Sequence, residues 1–305
     1  MRFSVWPNPQ QPWQDILDVG RHAESTGWDG IWFADHFMPM ADVEPGKPAL
    51  DPTLECWAVL AALAVAVPRV RIGSLVCGNT YRHPAVLAKQ AAAVDVISGG
   101  RLVLGLGAGW QENEHEAYGI EFSTVKGRLD RLEEACQVVR SLLSEERTTF
   151  EGEHYRLGEA PAEPKPVQQP LPLLIGGGGE QRTLRIAARY ADEWNVWGTP
   201  DVLRQKIGVL EQRCAEIGRD ATEIRRSAQG LLFLSTDESF VAKMRERDLG
   251  RASIVGTPAE VQEIVGAYVE AGVDELIIPD FTLGDPQRRQ DTLDLFLTEV
   301  APAFR

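Results

Sequence analysis

The sequence predicts a (β/α)8 barrel that runs through all 305 residues as one domain. Three observations support this fold. Short apolar runs alternate with helix-period patterns from end to end. Eight such strand–helix units follow one another without a linker or a shift in composition, and barrels of this kind routinely exceed about 200 residues. One apolar run, Leu173–Ile175, stops at four consecutive glycines, Gly176–Gly179, and a helical pattern begins at once. A doubly wound open sheet is the competing fold; it would need fewer units or a second domain.

The elements follow in order. Phe3–Trp6 reads as a first strand, and Ile16, Val19, Gly20 and Ala23 mark one face of a helix near Trp13–Glu24. Gly30–Ala34 is the second strand, with a helix near Thr53–Ala66. Val70–Cys77 is the third, followed by a helix carrying Leu87, Ala91, Val94 and Ile97. Leu102–Gly107 is the fourth, and its helix near Lys126–Leu143 carries Leu129, Leu132, Cys136, Val139 and Leu143 at helical spacing. Leu173–Ile175 and Trp194–Trp197 give strands five and six, Leu231–Leu234 the seventh and Glu275–Pro279 the eighth. Thr199-Pro200 and Thr257-Pro258 place Thr at an N-cap and Pro at the first helical position. Glu260 adds a capping box to the second.

Two insertion segments interrupt the repeat. Near 146–172, Thr148–Phe150 and His154–Leu157 flank Glu151-Gly152-Glu153, a predicted hairpin, and five prolines then give an extended run of polyproline character. Residues 35–52 form a long loop after strand two, of the length that serves as a lid or binding loop.

A formal charge of −14 argues against nucleic acid or an anionic membrane as partner. The longest apolar run, Cys56 to Val67, is twelve residues, short of the about 20 a membrane helix needs. Four scattered cysteines without a C-x-x-C motif predict reduced thiols in a cytoplasmic protein. An anionic ligand therefore needs a local site, and the glycine run provides one. Backbone N–H groups at a helix start favour an anion, and glycines remove each Cβ that would hold a phosphate off. A bare tight turn needs one or two glycines, not four.

Barrel active sites form at the C-terminal ends of the strands. Those ends carry Asn8, Asp35-His36-Phe37, Leu75 to Asn79, Gly107-Ala108-Gly109-Trp110, Gly176–Gly179, Asn195-Val196-Trp197 and Asp280. The set is rich in glycine and aromatics, suited to a flat ring. His36 is the one histidine of five at such an end; it can orient a cofactor or act as general acid/base, or it can simply anchor the loop. Asp35 points to the other face of a regular strand and reads as an anchor. Gly105 to Trp110 lacks the third spaced glycine of a dinucleotide fingerprint. Glu112, Glu114, His115 and Glu116 read as a solvated charged turn in preference to a metal site. A serine nucleophile elbow, a Walker loop and zinc spacings are absent.

With these ends laid out, the chain resembles the bacterial luciferase-like monooxygenase superfamily, in its coenzyme F420-dependent oxidoreductase branch. The resemblance rests on Gly27 to Phe37, Asn79 to Lys89, Ile97 to Leu102, Gly105 to Trp110, Ile175 to Gly179 and Val255 to Pro258, in that order and spacing. It implies a non-prolyl cis peptide at Leu75–Val76 that backs the middle ring of the deazaflavin. It implies a cofactor phosphate at Gly177, Gly178 and Gly179 with Arg182 or Thr183. Gly176, Asn79, Gly107 and Gly109 complete the implied cofactor site. His36 matches a histidine that contacts or acts beside the deazaflavin ring, with Asp35 next to it. The polyanionic tail of F420 would run along arginines such as Arg82 or Arg182. The luciferase proper carries a cysteine and an arginine where Gly107 and Ala108 stand, which argues against light emission.

The implied activity is hydride transfer between F420 and a small organic substrate. The alternatives are an FMN-dependent monooxygenase fed by a separate flavin reductase, and a barrel that binds cofactor without turnover. A homodimer is also implied, and Trp57, Val59, Leu60, Leu63, Val65 and Val67 leave the second helix without a clearly polar face.

Overall fold

The computed structural model describes residues 1–39 and 51–305. The fold is a (β/α)8 barrel, and its residues fall into two compact units. The first holds Met1–Asn8, Gln14–Trp32 and Gly177–Arg305; the second holds Pro9–Trp13 and Phe33–Gly176. Of the long loop expected at 35–52, residues 40–50 lie outside the described residues.

The chain begins β1 (Arg2–Trp6), α1 (Trp13–Thr26), β2 (Gly30–Phe33), α2 (Cys56–Ala66), β3 (Arg71–Ser74), β4 (Cys77–Gly78) and α3 (Pro84–Ser98). It continues β5 (Leu102–Gly107), α4 (Glu112–Tyr118), α5 (Val125–Ser144), β6 (Thr148–Glu151), β7 (Arg156–Ala160), β8 (Leu173–Gly176) and α6 (Thr183–Tyr190). Then come β9 (Glu193–Trp197), α7 (Pro200–Ala215), β10 (Arg225–Gln229), β11 (Leu231–Leu234) and α8 (Glu238–Arg245). The chain closes with β12 (Ser253–Gly256), α9 (Pro258–Glu270), β13 (Glu275–Pro279) and α10 (Pro286–Leu295).

In the first unit the barrel strands run parallel in the order β2-β1-β13-β10-β9. Side chains alternate across the sheet. Phe3 points outward and meets Phe296 edge-on at 5.1 Å, and Phe296 stacks on Trp28 at 5.5 Å. Ser4 points the other way, where its Oγ and Trp32 Nε1 donate to Glu275 Oε1 at 2.6 and 2.8 Å. On β9 and β10, Asn195 Nδ2 donates to Ser227 Oγ at 2.9 Å and Gln229 Nε2 to Asn195 Oδ1 at 2.7 Å. These polar groups are buried and bond to one another, with Gln229 Oε1 left without a partner.

That polar lining corrects the seventh strand. The barrel strand is Arg225–Gln229, not Leu231–Leu234. Leu231–Leu234 instead pairs with β12 in a separate two-stranded parallel sheet and packs around Phe233 and Met244. An apolar run marks a buried strand whichever sheet it joins; the barrel strand was hidden because its inward residues are polar.

In the second unit β5 is buried along its whole length and pairs with β3, β4 and β8. The third barrel strand, expected to be continuous over Val70–Cys77, stops at Ser74 and resumes at Cys77. The peptide between Leu75 and Val76 is cis, and Leu75 N–H donates to Phe33 O at 2.8 Å. Helix α3 starts with His83 as N-cap and Pro84 at its first turn, and it ends at Gly99 with φ +68°. The expected hairpin forms as β6 and β7, and Glu134 accepts the N–H groups of Glu153, His154 and Tyr155 at its turn. The proline run that follows carries cis bonds at Glu163–Pro164 and Gln169–Pro170. Helix α2 buries Trp57, Val59, Leu60 and Leu63 within the chain and leaves Val65 exposed, so most of its apolar surface is already covered. All four cysteines are free and buried.

Candidate active site

The second unit gathers an acid–base cluster just past β2. His36 Nδ1 lies 2.8 Å from Glu114 Oε1, and Phe37 N–H donates to Glu114 Oε2 at 2.8 Å. Tyr81 Oη also donates to Glu114 Oε1. Burial raises the Glu114 carboxyl, but hydrogen bonds from His36, Tyr81 and Phe37 outweigh it and bring it below the ordinary glutamate value. A carboxylate opposite Nδ1 fixes that nitrogen as a donor. Nε2 of His36 has no hydrogen-bond partner among the described residues, and the side chain is 21% exposed. Trp110 sits edge-on to the imidazole at 5.6 Å, and Phe37 packs between Tyr81 (4.7 Å) and Tyr118 (5.2 Å).

Glu114 was missed in the sequence because acidic neighbours made it look solvated. It lies instead on α4, with Glu114 and His115 fully buried. Gly119 stops that helix with φ +66°, and Gly-bounded spacing is the signal that marks a short helix here. His115 is structural. Its Nδ1 donates to Gln111 O at 2.6 Å and its Nε2 accepts from Thr80 Oγ1 at 2.6 Å, so both ring nitrogens are used.

Asp35 is engaged in an ion pair with Arg82. Both its oxygens are held by Arg82, at 2.6 and 3.0 Å, and the carboxylate is buried. Arg82 also meets Glu55, the N-cap of α2, at 2.5 Å. Two carboxylates therefore neutralise Arg82, which removes it as a grip for an anionic tail. The ion pair ties the end of β2 to the starts of α2 and α3.

Behind the interrupted third strand, Val76 fits against glycines. A Cβ on Gly107 would lie 2.8 Å from Val76 Cγ2, and one on Gly176 would lie 2.9 Å from Val76 Cγ1. These two glycines are required by the valine that approaches them. Gly109, at φ +81°, turns the chain beneath Thr80. Asn79 Nδ2 donates to Tyr155 Oη at 3.3 Å, while Asn79 Oδ1 is buried without a partner. A buried acceptor without a partner fits a group that brings a hydrogen-bond donor.

The glycine turn belongs to the first unit. Gly177 has φ +118° and its N–H donates to Asn195 O at 2.9 Å. The N–H groups of Gly178 and Gly179 have no partner among the described residues. A Cβ on Gly179 would lie 2.8 Å from Thr183 Oγ1. Arg182 is the N-cap of the eight-residue α6, and Thr183 is its first residue. Lys206, paired with Glu180 at 2.7 Å, brings a cation that the sequence did not single out; its Cε is 3.7 Å from where a Gly178 Cβ would stand. Open amides at a helix start fit a phosphate.

Residues 1–249 match the family described as luciferase-like monooxygenase, and the chain belongs to that family. Among its relatives, an F420-dependent glucose-6-phosphate dehydrogenase of Kineococcus radiotolerans is 36% identical, covering 95% of this chain and 93% of that protein. An F420-dependent hydroxymycolic acid dehydrogenase of Mycobacterium tuberculosis is 29% identical over 87% of this chain and 71% of that one. The solved coenzyme F420-dependent tetrahydromethanopterin reductase from Methanopyrus kandleri superposes with a TM-score of 0.83 at 20% identity, covering 100% of this chain and 99% of the other, a likeness of fold.

Proposed function

We propose that this chain is an F420-dependent oxidoreductase that moves a hydride between the deazaflavin coenzyme and a small organic substrate. The family and the 36% identical F420-dependent relative, matched over 95% of the chain, support the enzyme class and the cofactor. When bound, a deazaflavin supplies hydride transfer at a ring carbon and reacts poorly with oxygen, so the reaction is reduction or dehydrogenation.

The observation that carries the assignment is the His36–Glu114 couple at 2.8 Å. Glu114 holds Nδ1, so Nε2 is the atom that gives a proton to a substrate oxygen or takes one from it. Leu75 and Val76 back the coenzyme ring, and the unpaired Asn79 Oδ1 offers it an acceptor. Gly178 and Gly179 amides, with Thr183 and Arg182 at the α6 N-terminus, hold the phosphate. Gly107, Gly109, Gly176 and Gly177 shape this backbone. Asp35 positions the loop through Arg82.

The chain works as a homodimer in the cytoplasm. Exposed Val65 on α2 with Val86 and Ile97 on α3 support the dimer, and four free thiols support a reducing compartment. No helix among the described residues is long and apolar enough to cross a membrane.

Replacing His36 with Gln tests the assignment. F420 affinity by fluorescence titration should stay within about twofold, while turnover with any alcohol that supports it falls by about a hundredfold, the lower range for a lost acid–base group. Unchanged turnover would remove His36 from the chemistry.

A further inference from the structure

We infer that Tyr81 is a positioning residue: its hydroxyl pins the Glu114 carboxylate so that His36 meets a fixed acceptor. The inference rests on the acid–base role proposed for His36 and extends that machinery by one residue. Tyr81 lies between β4 and α3, in the same unit as His36 and Glu114.

Glu114 Oε1 receives two donors, His36 Nδ1 and Tyr81 Oη, and Oε2 receives Phe37 N–H. The last torsion of a glutamate side chain is broad, so a carboxylate held through one oxygen can rotate. Phe37 on one oxygen and Tyr81 on the other fix its plane from both sides. Without the hydroxyl, Phe37 N–H is the one anchor left besides the histidine. The imidazole would then be oriented by a group that it must also orient.

The tyrosine is itself held. Its N–H donates to Gly78 O at 3.0 Å, and a Cβ on Gly78 would stand 2.6 Å from Tyr81 Cε2. Phe37 and His115 flank the ring at 4.7 and 4.9 Å. Burial, and after it the hydrogen bond to Glu114, pushes the phenol above its ordinary value of about 10. The hydroxyl therefore keeps its proton, and stays a donor, throughout the neutral range.

The other ionisable groups nearby are engaged elsewhere. Asp35 and Glu55 pair with Arg82, which lies over the Phe37 ring at 5.7 Å. His115 directs its ring nitrogens to Gln111 O and Thr80 Oγ1. Among the described residues, only His36 and Tyr81 donate to Oε1.

Tyr81→Phe keeps the ring against Gly78 and deletes the one bond. The full-length protein, isotope-labelled at histidine, is compared by NMR at neutral pH with and without F420. The Nδ1–H signal of His36 is identified by its absence from His36→Gln. In Tyr81→Phe that proton should exchange with solvent at least tenfold faster, while F420 affinity by fluorescence titration stays within about twofold. With isopropanol and glucose 6-phosphate as turnover probes, kcat should fall about tenfold at unchanged KM, a split that marks lost transition-state stabilisation. An Nδ1–H that exchanges at the wild-type rate would overturn the inference even with a lowered unfolding midpoint, because the hydroxyl would then serve stability alone. Wild-type kcat in Tyr81→Phe would overturn it too. The NMR comparison needs no substrate, so absence of F420 binding would remove the oxidoreductase reading and leave the role of Tyr81 separately decided.

Discussion

Glu114→Gln separates a positioning carboxylate from a decorative one. The carboxylate accepts from three donors, His36 Nδ1, Phe37 N–H and Tyr81 Oη, in a buried setting. A glutamine keeps the volume but has one acceptor oxygen and two N–H donors. Whichever way the amide turns, its NH2 faces a donor, and one buried donor goes unsatisfied at about 1–3 kcal/mol. Urea unfolding of the apo-protein should lose about 2 kcal/mol on that basis. Turnover should fall about ten- to a hundredfold, a part of what an oriented acid–base group supplies, with F420 affinity held.

The same carboxylate gives a pH signature. Its folded value lies below the ordinary glutamate value of about 4.3. The unfolded chain therefore binds the proton first as pH falls. The stability Glu114 contributes is complete above about pH 4.3 and is lost as pH drops through the lower folded value. The variant should show a flatter stability profile across that window. Wild-type turnover, with an unchanged unfolding midpoint and profile in the variant, would refute the argument.

Two further substitutions address other parts of the site. Gly179→Ala places a Cβ 2.8 Å from Thr183 Oγ1 at the helix start and should weaken F420 about tenfold by isothermal titration, about 1.4 kcal/mol, with secondary structure intact. Arg82→Leu leaves Asp35 buried and unpaired and should cost about 3–5 kcal/mol in denaturant unfolding, whereas Arg82→Leu with Asp35→Asn should recover much of it.

The barrel was legible in the sequence where burial is apolar. Leu102–Gly107 is recovered to the residue because all six positions are buried, and the capping box at Thr257 and Glu260 forms as its spacing requires. What the sequence concealed shares one cause, polarity inside the protein. Arg225–Gln229 looks like a loop until Asn195 meets Ser227 and Gln229 across the strands. Glu114 looks solvated until α4 turns it toward His36. Periodicity reports which residues avoid water, and it is silent about polar groups that are buried with partners. The cis bond at Leu75–Val76 lies where the family resemblance places it; no local propensity signals it.

The central claim is that this protein binds and uses coenzyme F420. It is tested most directly by titrating the purified protein with F420 and, in parallel, with FMN, while following the fluorescence of each. Saturable quenching of F420 at micromolar concentration or below, weakened about tenfold in Gly179→Ala and absent with FMN, is the predicted result. Tight FMN binding with no response to F420 would contradict it.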